Sequence, residues 1–392
     1  MTAHSTVPDL PSAVGWDDAV GTWAGFPALA GDVTADACVV GLGASGLAAV
    51  EAFADRGLSV VAVDAGRVAA GAAGRNGGFL IGGPEEPLHQ AIAAWGECAV
   101  DLYRATLAEL ARLKERLGPQ VVRPVGSIRL AGLPGEPESD AEAADRADEL
   151  ADCREQEAAM KAHGLAVEAY DGPLGQGLYL PDDAATNPAI RATLIAGSLA
   201  DRAALHEHTR VRAVGPGRVV TDHGIISAGA VVVAVDGRLD VLLPELAGRV
   251  RTARLQMITT GAVPPRLPCP VYGRWGYDYG QQDPDGRLFV GGGRDRFVEQ
   301  EWTHDGDPTA PVQGYIETVA ARLAGRPITV THRWAASVGF TPDGRPLCAE
   351  IAPGVVAIGG YNGTGNLVGP VAARAAVDRV LSGTPPAPYF TT

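Results

Sequence analysis

No run of about 18 or more uninterrupted apolar residues occurs in the sequence, so no membrane-crossing helix is expected. Its five cysteines, Cys38, Cys98, Cys153, Cys269 and Cys348, show no C-x-x-C spacing. A dispersed, odd set argues against a zinc site or a disulfide scaffold, and for reduced thiols in a cytoplasm. Positive charge is scarce. Against 46 Asp and Glu stand 32 Lys and Arg, a net charge of −14, and the pI is near 5.0. Such a surface repels a phosphate backbone, which excludes nucleic acid as a partner. Only two lysines occur, Lys114 and Lys161; the arginine excess is read as genomic base composition rather than chemistry. Residues 1–30 hold no basic stretch followed by an apolar one, so no secretory leader is expected and the protein is assigned to the cytoplasm. No repeat or low-complexity segment stands out.

What is present suits a soluble enzyme: 46% hydrophobic and 20% charged residues, in 392 residues that can bury two cores. Residues 36–42 form an apolar run ending in glycine, which predicts a buried parallel strand. Residues 44–57 predict a helix stopped at Gly57, and Ser59–Val63 a second buried strand. Between strand and helix lies Gly41-Leu42-Gly43-Ala44-Ser45-Gly46, a G-x-G-x-x-G turn in the context that motif requires. The first glycine permits the tight turn, the second lets a pyrophosphate approach, and the third allows close helix–strand packing. The N–H groups at the helix start, including those of Ala44 and Ser45, suit phosphate oxygens. Asp64 stands 18 residues past Gly46, where a carboxylate accepts hydrogen bonds from ribose hydroxyls. A glycine turn that binds nothing is the bland alternative, and the strand, helix and acid around it count against that. The Asp disfavours NADP; the turn alone does not separate NAD from FAD.

Beyond this unit, residues 85–118 predict a long helix or helix pair, 121–132 a strand, 137–163 and 188–202 helices. Short strands with Gly turns follow to Val235, longer strands are read at 250–262 and 286–293, and the chain closes with a strand at 354–360 and a helix at 367–382. Two further Gly-rich stretches, "GAAGRNGGFL" and "GGYNGTGN", can bring main-chain N–H groups close to a ligand. A nicotinamide dehydrogenase needs only the first turn, so these favour FAD. No second G-x-G-x-x-G offers a route for NAD(P)H, as a flavin monooxygenase would require.

The stretch "VVGLGASGLAAVEAFADRGLSVVAVDAGRVAAGAAGRNGGFL" resembles the amino-terminal region of FAD-dependent amine and amino-acid oxidases, the superfamily of D-amino-acid, glycine and sarcosine oxidases. Its "GRNGG" run is most similar to the γ-glutamylputrescine oxidase subgroup. Four more stretches match in order: "ALHEHTRVRAV" (204–214), "GAVVVAVDG" (229–237), "HRWAASVGFTPDGRP" (332–346) and "GGYNGTGNLVGPVAARAAVDRVLSG" (359–383). The resemblance implies an α/β fold of the glutathione-reductase FAD type. In it, a Rossmann-like FAD-binding domain is built from 1–85, 185–245 and 331–392. A substrate domain of antiparallel sheet with helices takes 86–184 and 246–330. The implied reaction oxidises a C–N bond of a primary or secondary amine to an imine by hydride transfer to flavin N5, with O2 as acceptor giving H2O2. The cofactor carries the hard chemistry, while the protein orients the donor.

The residues implied to hold FAD are Gly41, Gly43, Ala44, Ser45, Gly46, Asp64, Ala65 and Arg67 at the first turn. Ala72, Ala73, Arg75, Asn76, Gly77, Gly78 and Phe79 follow in the second loop, then Val211, which meets the adenine through its backbone. Gly360, Asn362, Gly363, Thr364, Gly365 and Asn366 lie against the flavin. The chain also departs from the family. Val338 stands at or near the place of the substrate-carboxylate arginine of amino-acid oxidases, which favours an amine unless Arg294 or Arg274 takes over. Ala336 and Ser337 stand where relatives carry a flavin-linking Cys, and 71–83 holds no His, so FAD is expected to be non-covalent. No lysine is placed to assist oxygen. Phe79, Thr364 and Asn366 replace a Gln, a His and an apolar residue, which reads as drift or as a pocket reshaped for an unusual donor. Trp275, Tyr277 and Tyr279 alternate and are expected on one face of a strand as an aromatic wall, or as plain sheet packing. The candidate catalytic residues are Tyr277, Tyr279, Arg294, His332 and Tyr361, with no metal. A D-amino-acid or glycine-type oxidase or dehydrogenase is the alternative. A flavin monooxygenase or non-catalytic FAD-binding protein lies outside it.

Overall fold

The computed structural model describes residues 13–392, so the first twelve residues of the leader reading and of the amino-terminal FAD segment lie outside it. The valine-rich runs become a parallel sheet, because residues buried on both faces gain from β-branched side chains. Its order is Val355–Gly359, Ile225–Val233, Val33–Val40, Val60–Val63 and Ala204–His206, all parallel. Leu347–Ala352 adds an antiparallel edge. The strands Val211–Gly215 and Arg218–Thr221 fold back antiparallel on Ile225–Val233. Helix Ala44–Ala54 lies against helix Gly365–Ser382, and both share a core with Ala37, Val39, Val232 and Ile358.

A second sheet runs Val330–Phe340, Arg251–Thr260, Leu288–Gly291, Asp278–Gln282, Val271–Gly273, Ser127–Leu130, Gly175–Leu180 and Glu168–Gly172. It is antiparallel except between Val271–Gly273 and Ser127–Leu130. Helix Ala310–Ala324 covers one face through Val312, Ile316, Val319 and Leu323. The predicted helix pair is found as Leu88–Trp95 and Cys98–Leu117, split at Gly96 with φ 75°. Strand Val330–Phe340 pairs along its length with Arg251–Thr260, so the chain is still in the second sheet at 340, past the start of the 331–392 segment. A two-stranded ladder, Phe79–Leu80 with Ala184–Ala185, ties the glycine-rich second loop to the segment before helix Pro188–Leu199.

No described helix is long and apolar enough to cross a membrane. All five cysteines are free; four are buried and Cys98 is partly so. Among the described residues no cluster of His, Cys, Asp and Glu is arranged to hold a metal ion.

Candidate active site

A cavity of about 910 Å³ runs from the first glycine turn to the second sheet. At one end the chain leaves strand Val33–Val40 through Gly41, whose φ of +105° only glycine adopts readily. A Cβ there would meet the Ala234 carbonyl at 2.5 Å. Gly46 packs helix on strand so tightly that any side chain would strike the Gly41 carbonyl. No side chain caps helix Ala44–Ala54, and Gly43, Ala44 and Ser45 line the cavity. The uncapped N–H groups and the helix dipole there form a seat for an anion.

Asp64 lines the same end, accepting from Leu42 N and Gly66 N, both at 2.8 Å. Burial raises its carboxyl above the usual range against those two hydrogen bonds. A carboxylate has about four lone-pair sites, so capacity remains for ligand hydroxyls. Ala65 and Val211 line this end too. Arg67 does not. It pairs with Asp17 at 2.5 Å and holds the amino-terminal segment instead, which corrects its expected place on the ligand.

The second loop is held by side chains from three other parts of the chain. Trp334 Nε1 donates to Arg75 O at 2.8 Å, Trp16 Nε1 to Asn76 O at 2.8 Å, and Gln281 Nε2 to Gly77 O at 2.5 Å. Asn76 caps the short helix Ala72–Arg75, donating to Ala72 O and Ala73 O, and accepts from Gly78 N. Ala72, Ala73, Arg75, Asn76, Gly77 and Phe79 line the cavity, while Gly78 packs behind it against Thr186 and Gln281. Arg75 donates to Ala335 O at 3.0 Å, its Nε is buried without a partner, and burial lowers its pKa.

The third loop is organised by Asp236, a half-buried group at the cavity that sequence reasoning passed over. Its carboxylate accepts from Gly339 N at 3.1 Å, Gly360 N at 2.9 Å and Tyr361 N at 3.5 Å. Burial lifts it to about 6. Asn362, at φ 52°, fastens the loop to Thr341 N and Gly344 O. Asn362, Gly363, Thr364, Gly365 and Asn366 line the cavity, and Gly360 lies just behind. Tyr361 is buried, its hydroxyl near Ser45 but without a hydrogen bond of good geometry; burial raises its pKa well above the ordinary value.

The second sheet closes the far end. The expected aromatic face breaks here: Arg274 and Trp275 take left-handed φ of 50° and 60°, so 274–277 is a turn and only Tyr279 lies on a strand. Competing carboxylates explain the turn. Glu149 accepts from Trp275 N at 2.6 Å, and Arg274 binds Asp278 at 2.8 Å and Asp295 at 2.5 Å. That consumes Arg274 as a substrate anchor. Tyr279 meets Phe79 edge-on at 5.8 Å. Arg294 is held over the rings of Phe340 at 4.3 Å and Tyr277 at 5.6 Å, with only Glu85 nearby at 3.8 Å. Gly293 N, bonded to Asp278 at 3.0 Å, sets the base of that hairpin. Glu85, unmarked by any motif, keeps 39% of its side chain accessible yet is recessed in the cavity, where desolvation raises it to about 7 against the pull of Arg294.

His332 lies outside the cavity. It faces Asp18 at 3.5 Å and Thr331, because its strand turns that side of the sheet away, and its candidacy ends there. Among the described residues that line the cavity there is no cysteine, histidine or lysine.

Residues 36–379 match the family model described as FAD dependent oxidoreductase, DAO. The chain belongs to the DAO family of FAD-dependent oxidoreductases. This DAO-family chain is 28% identical over 370 residues to a probable oxidoreductase OrdL of Rhizobium meliloti (strain 1021), covering 87% of this chain and 81% of that one. It is 26% identical over 366 residues to the gamma-glutamylputrescine oxidoreductase of Escherichia coli (strain K12), covering 88% and 83%. Its fold is similar to that of glycine oxidase from Geobacillus kaustophilus, with a TM-score of 0.70 at 19% identity over 92% and 98% of the two chains. The α/β fold with two large sheets is thereby that of the DAO-type oxidases. The residues fit FAD: an uncapped helix start, orphaned polar atoms on Arg75 and Tyr361, and three glycine-rich loops on one cavity.

Proposed function

We propose that this FAD-dependent oxidoreductase oxidises the C–N bond of an amine to an imine, with FAD held non-covalently and O2 as acceptor. When bound, FAD supplies the two-electron acceptor for the carbon beside nitrogen. The first sheet, with the segments 13–85, 185–245 and about 341–392, holds the cofactor, and the second sheet covers the reacting side. Gly43, Ala44 and Ser45 receive the pyrophosphate, Asp64 the ribose, Val211 the adenine, and the loops 72–79 and 360–366 the ring. Among the described residues neither Cys nor His lines the cavity, which supports the non-covalent state.

The observation that carries the amine reading is Glu85, a cavity carboxyl raised to about 7 beside aromatic walls. An amine reaches the site as an ammonium ion, and its nitrogen must shed a proton before the C–H electrons can leave. Glu85 accepts that proton, while Tyr279, Phe79 and Tyr277 confine the donor. Below its ionisation Glu85 is protonated and cannot act, so kcat/KM rises with pH through about 7. Glu85→Gln is expected to lose that limb and about 100-fold in kcat/KM. A pH profile unchanged in the variant removes Glu85 from this role.

A second reading has its own observation. Among the described residues no hydrogen bond engages the Arg294 guanidinium, so the fork is open to a carboxylate. A D-amino-acid or glycine-type donor would be held there. Acid precipitation of the purified protein should release FAD, and anaerobic bleaching by an amine panel against an amino-acid panel separates the readings. A colourless supernatant sinks both.

A further inference from the structure

Helix Pro188–Leu199 carries Arg191, 2% exposed and bare of any carboxylate within 4 Å among the described residues. A buried guanidinium with no carboxylate in contact is costly; Glu109, engaged by Arg112 and Arg374, acts on it only from a distance, so its surroundings need an account. Its Nη2 donates to Asn366 Oδ1 at 2.6 Å and its Nη1 to Asn366 O at 3.4 Å. That backbone carbonyl is free because Pro370, four residues on in helix Gly365–Ser382, has no N–H to give it. The proline therefore opens an acceptor inside a helix, and the arginine takes it.

Asn366 passes the contact to the cavity wall. Its Nδ2 donates to Phe79 O at 2.7 Å and Asn76 Oδ1 at 2.9 Å, while Asn76 Nδ2 donates back to Asn366 Oδ1 at 3.1 Å. Asn76, Phe79 and Asn366 all line the cavity; Arg191 does not. The charge thus stands one side chain behind the wall, at the positive end of an 18-residue helix with no side-chain cap. Burial lowers its pKa to about 10, which leaves it charged at neutral pH. Both sources give this wall a positive potential that buried surroundings screen weakly.

We infer that Arg191 is a positioning residue that holds positive charge behind the Asn76–Phe79–Asn366 wall, so that the wall favours a bound ring that turns negative on reduction. A flavin ring that takes two electrons and one proton carries one negative charge. The inference rests on the FAD reading above, and it makes Arg191 a determinant of the cofactor's reduction potential rather than of its retention.

The test uses FAD-loaded wild type, Arg191→Met, Arg191→Lys and Asn366→Asp, with the midpoint potential measured by equilibrium dye titration. Arg191→Met is expected to lower the potential by about 30 mV or more, a tenfold shift in a two-electron equilibrium. Its affinity for sulfite, which adds to the oxidised ring and leaves it anionic, should fall about tenfold as well. Arg191→Lys keeps the charge and should stay near wild type. An unchanged potential in FAD-loaded Arg191→Met, or a Lys variant that falls as far as Met, overturns the inference. Should the Met variant fail to fold, Asn366→Asp neutralises the charge in place and is expected to show the same drop. No drop there is equally decisive. A wild-type protein without FAD overturns the FAD reading itself, a result distinct from an unmoved potential.

Discussion

Gly43→Val is expected to give a folded protein that has lost FAD. Gly43 sits at φ −82° and ψ −171°, extended backbone that valine adopts without strain. A Cβ there meets only the Ala73 Cβ, at 3.4 Å, and otherwise enters the cavity at the uncapped helix start. The new branched side chain would occupy the volume in which a pyrophosphate approaches the N–H groups, and would do so without disturbing the core. Affinity for FAD should fall by about 100-fold or more, about 3 kcal/mol at 1.4 kcal/mol per decade. The melting temperature of the apoprotein should stay near wild type. Gly46→Val is the contrast: its side chain would strike the Gly41 carbonyl, so it should fail to fold. Differential scanning fluorimetry with and without added FAD reads both effects. A Gly43→Val protein that purifies with stoichiometric flavin would show that this turn does not hold the cofactor.

Asp236→Ala should be strongly destabilising, though short of the folding failure expected for Gly46→Val. It deletes the acceptor of three backbone N–H groups, from Gly339, Gly360 and Tyr361, all in buried surroundings. Each buried donor left unsatisfied costs about 1–3 kcal/mol, so a loss on the order of 3 kcal/mol or more is expected. The 360–366 loop should come free of the second sheet, and FAD retention should fall with it. The pH dependence has a defined sign. With its carboxyl lifted to about 6, the folded state binds a proton that the unfolded state has already released above about 4. Wild-type stability from this group therefore falls as pH rises from about 4 to about 6. Asp236→Asn, which keeps one acceptor oxygen, should be milder than Ala and should lose that slope. Urea melts across this pH range check it; an Ala variant as stable as wild type would remove Asp236 from its organising role.

The parts of the site that were legible are those written in local backbone chemistry. Gly41 is required by a φ of +105°, and Gly46 by a helix pressed on a strand, so both leave a mark at fixed spacing. The valine runs announce strands buried on both faces, and these are the strands of the parallel sheet. Residues 274–277 show where local pattern misleads. The alternation of Trp275, Tyr277 and Tyr279 suggests a strand, but Glu149 and Asp295 impose a turn from elsewhere in the chain, with the adjacent Asp278. Glu85 carries no motif, because its raised pKa comes from the cavity around it and from Arg294, some two hundred residues away. His332 looked chemically able, yet register on its strand sends it toward Asp18.

By itself, then, the sequence determined the dinucleotide turn, the glycine-rich loops and membership in a flavin-dependent family, since backbone geometry at each of these depends on residues adjacent in the chain. The tertiary structure alone decided which charges face the cavity. Trp16, Trp334 and Gln281 pin the second loop, Asp236 ties the third, and Arg191 holds Asn366 from behind the wall, each through contacts made across the fold. Desolvation and hydrogen bonding at such positions depend on which segments pack together, and that information is spread over the whole chain rather than held in any one stretch.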